Sequence, residues 1–225
     1  MIPACIEIPA GRSVRGGGPD DKFVNATELP RGEIVIDQPF RMSICPITVE
    51  DWQAWKQNGR GDCNPELPVT RVSWFDAVGY CEWLTEKSGK IWRLPTESEW
   101  EYACRGGTET PFHTGMMIET AQANFLYSED GRRVGPGQLL PVGCYDANPF
   151  GLHDMHGNVS EWTADNWRSN WSDEAVGDDT RRVVRGGAWD YLPRMLRSSW
   201  RDALRPETRR DNLGFRVVTE CRCAH

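Results

Sequence analysis

Helical periodicity in this chain is confined to its first half and stops at Gly106-Gly107, leaving more than half of the 225 residues without a regular pattern. Two segments before that point read as capped helices. Ser73 followed by Asp76 is a capping signal, and Ala77, Tyr80, Cys81 and Leu84 then recur at helical spacing until Gly89. Thr96 and Glu99 repeat the device; Trp100, Tyr102 and Ala103 form the buried side, and Gly106-Gly107 stops the run. Thr48 ahead of Trp52 and Trp55 marks a shorter helix. Ile34–Ile36 and Phe40–Met42 read as strand on either side of Pro39, and residues 1–33 read as irregular around Gly16-Gly17-Gly18-Pro19. Beyond Gly107, Pro141–Gly143, Asn158–Trp162 and Arg182–Arg185 look like short strands between long loops. Long loops in a packed domain need cross-links of another kind, and bound metal is one candidate. The fold class that follows is α+β, in one domain spanning 1–225 with a tail at 219–225.

Composition agrees. The chain carries 22 glycines, 15 prolines and 11 tryptophans, which suits irregular segments whose gaps are filled by indoles. Its formal net charge is −7, so nucleic acid is excluded as a partner class by repulsion from phosphate. No apolar run of about 18 residues occurs, which excludes a membrane helix. No secretion signal is visible at Met1–Cys5, so the eight cysteines are expected as reduced thiols in a cytoplasmic protein. Cys221 and Cys223 near His225 supply too few ligands for a metal site. The late arginines, Arg194, Arg197, Arg201, Arg205, Arg209 and Arg210, either pair with the acidic remainder or bind an anion.

Four blocks then carry a specific pattern. They are Val72–Trp83 running on to Arg93–Gly107, Asn148–Trp162, Arg185-Gly186-Gly187-Ala188-Trp189, and Asn212-Leu213-Gly214-Phe215-Arg216. In this order they resemble the formylglycine-generating-enzyme family. The resemblance implies a loop-rich α+β variant of the C-type-lectin fold with structural calcium. A first ion would sit among the carbonyls of Asp154, Gly157 and Val159 and the carboxylate of Glu161, since a hard cation takes six to eight oxygens. A second would begin at Asn124 and the Phe125 carbonyl, with Asp130 as partner at a spacing that departs from the family's. His153 and His156 flank the first turn and read as hydrogen-bonding or surface residues.

The family's chemistry uses two cysteines shortly after the Gly-Gly of the late block to bind copper, and Ala188 to Asn212 contains neither cysteine nor histidine. A lone Met195 is no soft-metal site. Copper is therefore not expected, and neither is formylglycine generation. Cys81 and Cys104 match positions that are disulfide-bonded in secreted members, but their partner positions here fall at Ser198 and Val217.

Three functional readings remain. The first is a calcium-stabilised, lectin-like module recognising a protein or small molecule through the variable late block, as in diversity-generating-retroelement targets. The second is an oxidoreductase-like bacterial enzyme of another metal-dependent mechanism, and the third is an inactive paralogue that regulates a partner. For the first, Trp189, Leu196 and Arg197 are expected to point inward. Tyr191, Leu192, Met195, Trp200, Ala203 and Leu204 form the expected binding face, with aromatic anchors of the kind interfaces use.

Overall fold

The computed structural model describes residues 2–56, 64–172 and 174–221. Along the chain run β1 (Cys5–Ile8), β2 (Gly11–Arg15), β3 (Gly32–Ile36), β4 (Phe40–Ser43), α1 (Val49–Lys56), α2 (Trp74–Ser88), β5 (Trp92–Arg93) and α3 (Glu97–Arg105). After a long irregular stretch come β6 (Ser160–Arg168), β7 (Gly177–Arg185), β8 (Asp202–Leu204), β9 (Leu213–Phe215) and β10 (Val218–Glu220). The strands form a sheet in the order β1-β4-β10-β5, the hairpin β2-β3, and a second sheet in the order β8-β7-β6-β9. In the second sheet β6 and β9 run parallel, with Glu161 opposite Gly214. The result is an α+β fold.

The helix signals act as read. Ser73 and Thr96 each form a reciprocal capping box, with Asp76 and Glu99 respectively, and Gly89 and Gly106 close their helices in the left-handed conformation. Thr48 accepts from the Asp51 amide at 3.1 Å at the start of α1. The strands were less legible. The segment read as irregular before residue 34 contains β1 and β2, because Cys5–Ile8 pairs with β4 some 35 residues away and carries no turn signal of its own. Thr219 and Glu220, assigned to the tail, lie in β10 and bridge β4 to β5. Pro141–Gly143 is a turn, not a strand. Residues 222–225 of the tail, Cys223 and His225 among them, lie outside the described residues, as does the 57–63 segment.

The core falls into three apolar clusters. Trp52, Tyr80, Leu84, Trp162 and Phe215 centre the largest; Ile8, Met42, Trp100 and Leu152 centre the second; Phe112, Ile118, Phe125 and Leu196 form the third. Two fully buried indoles are satisfied: Trp162 Nε1 donates to the Val72 carbonyl and Trp100 Nε1 to Glu161. Between the clusters runs a set of buried charges. Glu97 and Glu101, one turn apart on α3, both receive Arg185 from β7 at 2.8 Å. Arg105 also pairs with Glu101, and Arg201 with Glu97. Burial pushes the Glu101 carboxyl up, but Arg105 and Arg185 outweigh it and hold the group below the usual carboxylate range.

His156 is a core residue. Its Nδ1 lies 2.7 Å from the Leu196 carbonyl and its Nε2 accepts the His113 amide, so the proton sits on Nδ1 and the ring is neutral. Burial first, then His113, depresses its pKa from 6.5 to about 3.

Two outcomes are expected. Glu101→Gln leaves Arg105 and Arg185 undercompensated in the interior and should lower unfolding free energy in denaturant by about 3–5 kcal/mol. Removing Glu33 from its exposed pair with Arg12 should change little. His156 has a folded pKa below its unfolded value, so its neutral form supports the fold fully above about pH 6.5 and progressively less as pH falls toward 3. Stability measured between pH 6.5 and 4.5 should fall with acid more steeply in the parent than in His156→Asn, by up to about 1.4 kcal/mol per pH unit.

Candidate functional site

The late block is pinned at both ends before it is free to do anything. Gly186 and Gly187 both have positive φ, and a Cβ at Gly187 would lie 2.6 Å from the Met195 carbonyl, so the chain doubles back on itself there. At the far end Leu213–Phe215 is locked into β9 beside β6. Between them Pro193–Met195 makes a single 3-10 turn with proline at its start. Leu196 and Arg197 turn inward and are fully buried, while Trp189 is only half-buried.

The six residues expected to form an outward face are all half-buried. Tyr191 and Met195 pack against the Phe112–Phe125 cluster. Ala203 and Leu204 lie in β8, opposite Val183 and Arg182 of β7, and Leu204 also packs on the largest cluster. Leu192 caps the 3-10 turn, and Trp200 keeps its Nε1 buried without a hydrogen-bond partner. The spacing of the block resolved no strand, so β8 and its inward packing were not visible in it.

A cavity of about 570 Å³ opens on the other side of the same turn, and none of the six lines it. Pro193, Arg194 and Arg197 form one wall, Asp20–Phe23 a second, and the 111–134 stretch the floor and far side. Phe112, Ile118 and Phe125, all buried, make the interior apolar with half-buried Phe23, and the exposed Met116, Met117 and Val134 form its rim. This size and composition suit a small organic ligand. Arg197 is immobilised: its guanidinium meets Glu28, Asp21 and the Phe23 carbonyl, so it holds the 20–23 wall against the late block. Arg194 meets Glu129, a second lining residue, through its amide at 2.6 Å and its side chain at 3.5 Å. The cavity escaped sequence reasoning because its walls come from three segments, of which only one lies in the late block. Two further late arginines take the ion-pairing role, Arg201 with Glu97 and Arg209 with Asp76, while Arg205 and Arg210 are exposed.

No thiol faces this cavity among the described residues. Cys104 lies buried 3.5 Å from Ser198, the position that would hold its disulfide partner, and burial pushes its pKa up to about 12. Cys81 and Val217 share the largest apolar cluster. Cross-links of the secreted pattern are thus replaced by packing.

The calcium donors divide. Glu161, nominated as the anionic ligand, is fully buried and already holds Arg216 through both oxygens at 2.7 and 2.8 Å, with Trp100 Nε1 as a third donor. Its charge is neutralised, so this part of the first donor set does not fit a cation. The Asp154 carboxylate accepts the Gly143 amide, and Gly157 sits so close to Asn124 that a Cβ would lie 2.3 Å from the Asn124 carbonyl oxygen. Asp130 closes its own turn with Ser128 and Arg132 and does not serve Asn124. Asn124 is different. It is buried, its amide donates to Gln138 and Asn158, and its Oδ1 has no hydrogen-bond partner; the next carbonyl along the chain is that of Phe125. Those two oxygens suit a hard cation. Val159 is a buried core residue whose carbonyl precedes β6. Among the described residues no three His, Cys, Asp or Glu side chains are grouped to hold a metal, so an ion at Asn124 would rest on amide and carbonyl oxygens.

Comparison with known proteins places this geometry. The profile of the sulfatase-modifying factor enzyme 1-like domain matches residues 1–221. The chain is 36% identical to the inactive C-alpha-formylglycine-generating enzyme 2 of Mus musculus, over 96% of this chain and 86% of that protein. It is 34% identical to the serine/threonine-protein kinase pkn1 of Chlamydia caviae over 76% of this chain, but spans only 28% of the kinase's length. It likewise spans half of the Mycobacterium tuberculosis formylglycine-generating enzyme, at 37% identity over 62% of this chain. Among solved structures, PvdO from Pseudomonas aeruginosa superposes with a TM-score of 0.85 at 28% identity, covering 97% of this chain and 95% of PvdO. Treponema denticola variable protein 1 shares the fold at a TM-score of 0.78 and 22% identity, covering 96% and 95%. The α+β architecture, the four sequence blocks and these matches together establish that the chain belongs to the formylglycine-generating-enzyme, or sulfatase-modifying factor, family.

Proposed function

We propose that this chain is a ligand-binding member of its family, taking a small, largely apolar molecule into the cavity beside the Pro193–Met195 turn. The observation that carries this reading is the cavity itself: a preformed apolar interior whose one wall belongs to the family's late block. Formylglycine generation is not part of the proposal, because Ala188–Asn212 offers no cysteine or histidine and Cys104 is a buried, protonated thiol. The binding face is thus moved from Tyr191 and its neighbours to the opposite side of the same block. Reduced, buried Cys81 and Cys104 fit a reducing compartment, and no helix among the described residues is long and apolar enough to cross a membrane. A peptide carrying the sulfatase cysteine motif, incubated with the protein and copper, should keep its thiol by mass spectrometry. A neutral aromatic such as naphthylethanol should bind in ligand-detected NMR, and Val134→Trp, which crowds an indole into the cavity from its rim, should abolish its signal. Copper-dependent turnover, or binding that survives the filling, would overturn the reading.

Structural calcium is proposed in narrower form, at Asn124 Oδ1 and the Phe125 carbonyl. When bound it would tie the 124–125 segment, which carries the cavity floor, to its surroundings. A ligand at 100 times its dissociation constant stabilises the native state by about 2.7 kcal/mol. Calcium added after chelation should therefore raise the melting temperature, Asn124→Ala should lose that response, and Asn124→Asp should strengthen it. A melting curve indifferent to calcium in all three proteins would dismiss the site.

A further inference from the structure

The charges around the cavity specify more than an apolar ligand. Asp21 is spent on Arg197, and Glu129 on Arg194, so these two pairs cancel. Three lining charges remain: Asp20, Glu119 and Lys22, all exposed. Lys22 stands over its neighbour's ring, with Nζ 5.0 Å from the Phe23 centroid, and the Arg194 guanidinium takes up a second position 5.7 Å from the same ring. Asp20 and Glu119 have no ion-pair or side-chain hydrogen-bond partner among the described residues. Arg133, the nearest basic residue in sequence to the lining Val134, is turned toward Gly137 and is not part of the lining. The rim is thus left with one net negative charge, on a protein whose own formal charge is −7.

Resting on the cavity reading, we propose that the ligand is an organic monocation: an aromatic or branched apolar body bearing one ammonium or guanidinium group. The body occupies the space between Phe112, Ile118, Phe125 and Val134, where it displaces water from apolar surface. The cation stays at the mouth between Asp20 and Glu119, where it needs little desolvation and is drawn in by the field of the acidic surface. Met116 and Met117 complete the enclosure, because flexible thioether side chains adapt to ligand shape and accept aromatic contacts. An anion of the same shape meets the opposite field, since both arginines of the cavity wall already have carboxylate partners.

Three probes of nearly equal shape separate the terms: naphthylethylamine, naphthylethanol and naphthylacetate, titrated by calorimetry at low and at physiological salt. The amine should bind about fivefold more tightly than the alcohol, the size of one charge pair near 4 Å in water, and the acetate should be weakest. Added salt should narrow the gap. Asp20→Asn with Glu119→Gln, two exposed substitutions outside the core, should bring amine and alcohol to equal affinity while leaving the alcohol unchanged. Lys22→Gln should widen the preference for the amine. If the alcohol and acetate bind as well as the amine, the cationic class is wrong and the cavity reading stands. If no probe binds the parent protein, the cavity reading fails with it.

Discussion

Arg185 joining Glu97 and Glu101 is the contact on which the arrangement of this protein depends. The two carboxylates lie one turn apart on α3 and the arginine comes from the end of β7, so the contact fixes helix to sheet. From this centre the network spreads outward. Glu101 accepts the Gly16 amide and Arg105, and Arg105 reaches the Gly16 carbonyl, which binds the N-terminal segment to α3. Glu97 receives Arg201 of the late block. Apolar burial is non-directional and cannot alone choose among the many ways a loop-rich chain could collapse; fixed guanidinium–carboxylate forks can. Buried ion pairs add little net stability compared with apolar packing, yet once formed they make every alternative arrangement strand a charge.

The same logic explains how the fold does without the cross-links of secreted relatives. Cys104 meets Ser198 where a partner sulfur would be, and directly beside that contact Arg185 takes the Ser198 carbonyl. The late block is held at this point by charge-assisted hydrogen bonds in place of a covalent bond. Arg197, one residue earlier, performs the corresponding task for the 20–23 segment through Glu28 and Asp21. Because Arg197 also lines the cavity, the cavity's shape is set by the buried network, which would lower the ordering cost for any ligand it took.

What could be read from the sequence was whatever is decided locally. The Ser73/Asp76 and Thr96/Glu99 boxes are completed within four residues, and glycine alone adopts the left-handed caps at 89 and 106 without penalty. The family blocks were equally legible, and with them the α+β fold. Long-range outcomes were not. β1 exists because β4 is there to pair with it, and β8 because β7 is. Glu161 looked like a free ligand because its partner, Arg216, lies 55 residues on and only the parallel β6–β9 pairing brings the two together. The cavity was invisible for the same reason, its lining drawn from segments near residues 20, 115 and 194.

This division of labour accounts for how one block can be both frame and cavity wall. In the turn after Leu192 the residues alternate in duty. Leu196 fills the third apolar cluster, Arg197 and Arg201 enter the ion-pair network, and Ser198 takes Cys104 and Arg185. Pro193 and Arg194 are left to face the cavity. Changing an inward residue disturbs several segments at once, whereas changing Arg194, whose only acidic partner among the described residues is the exposed Glu129, alters the cavity wall and little else. The cavity wall in such a scaffold is therefore free to vary at Pro193 and Arg194, while the buried Arg197 and Arg201 keep the same chain trace.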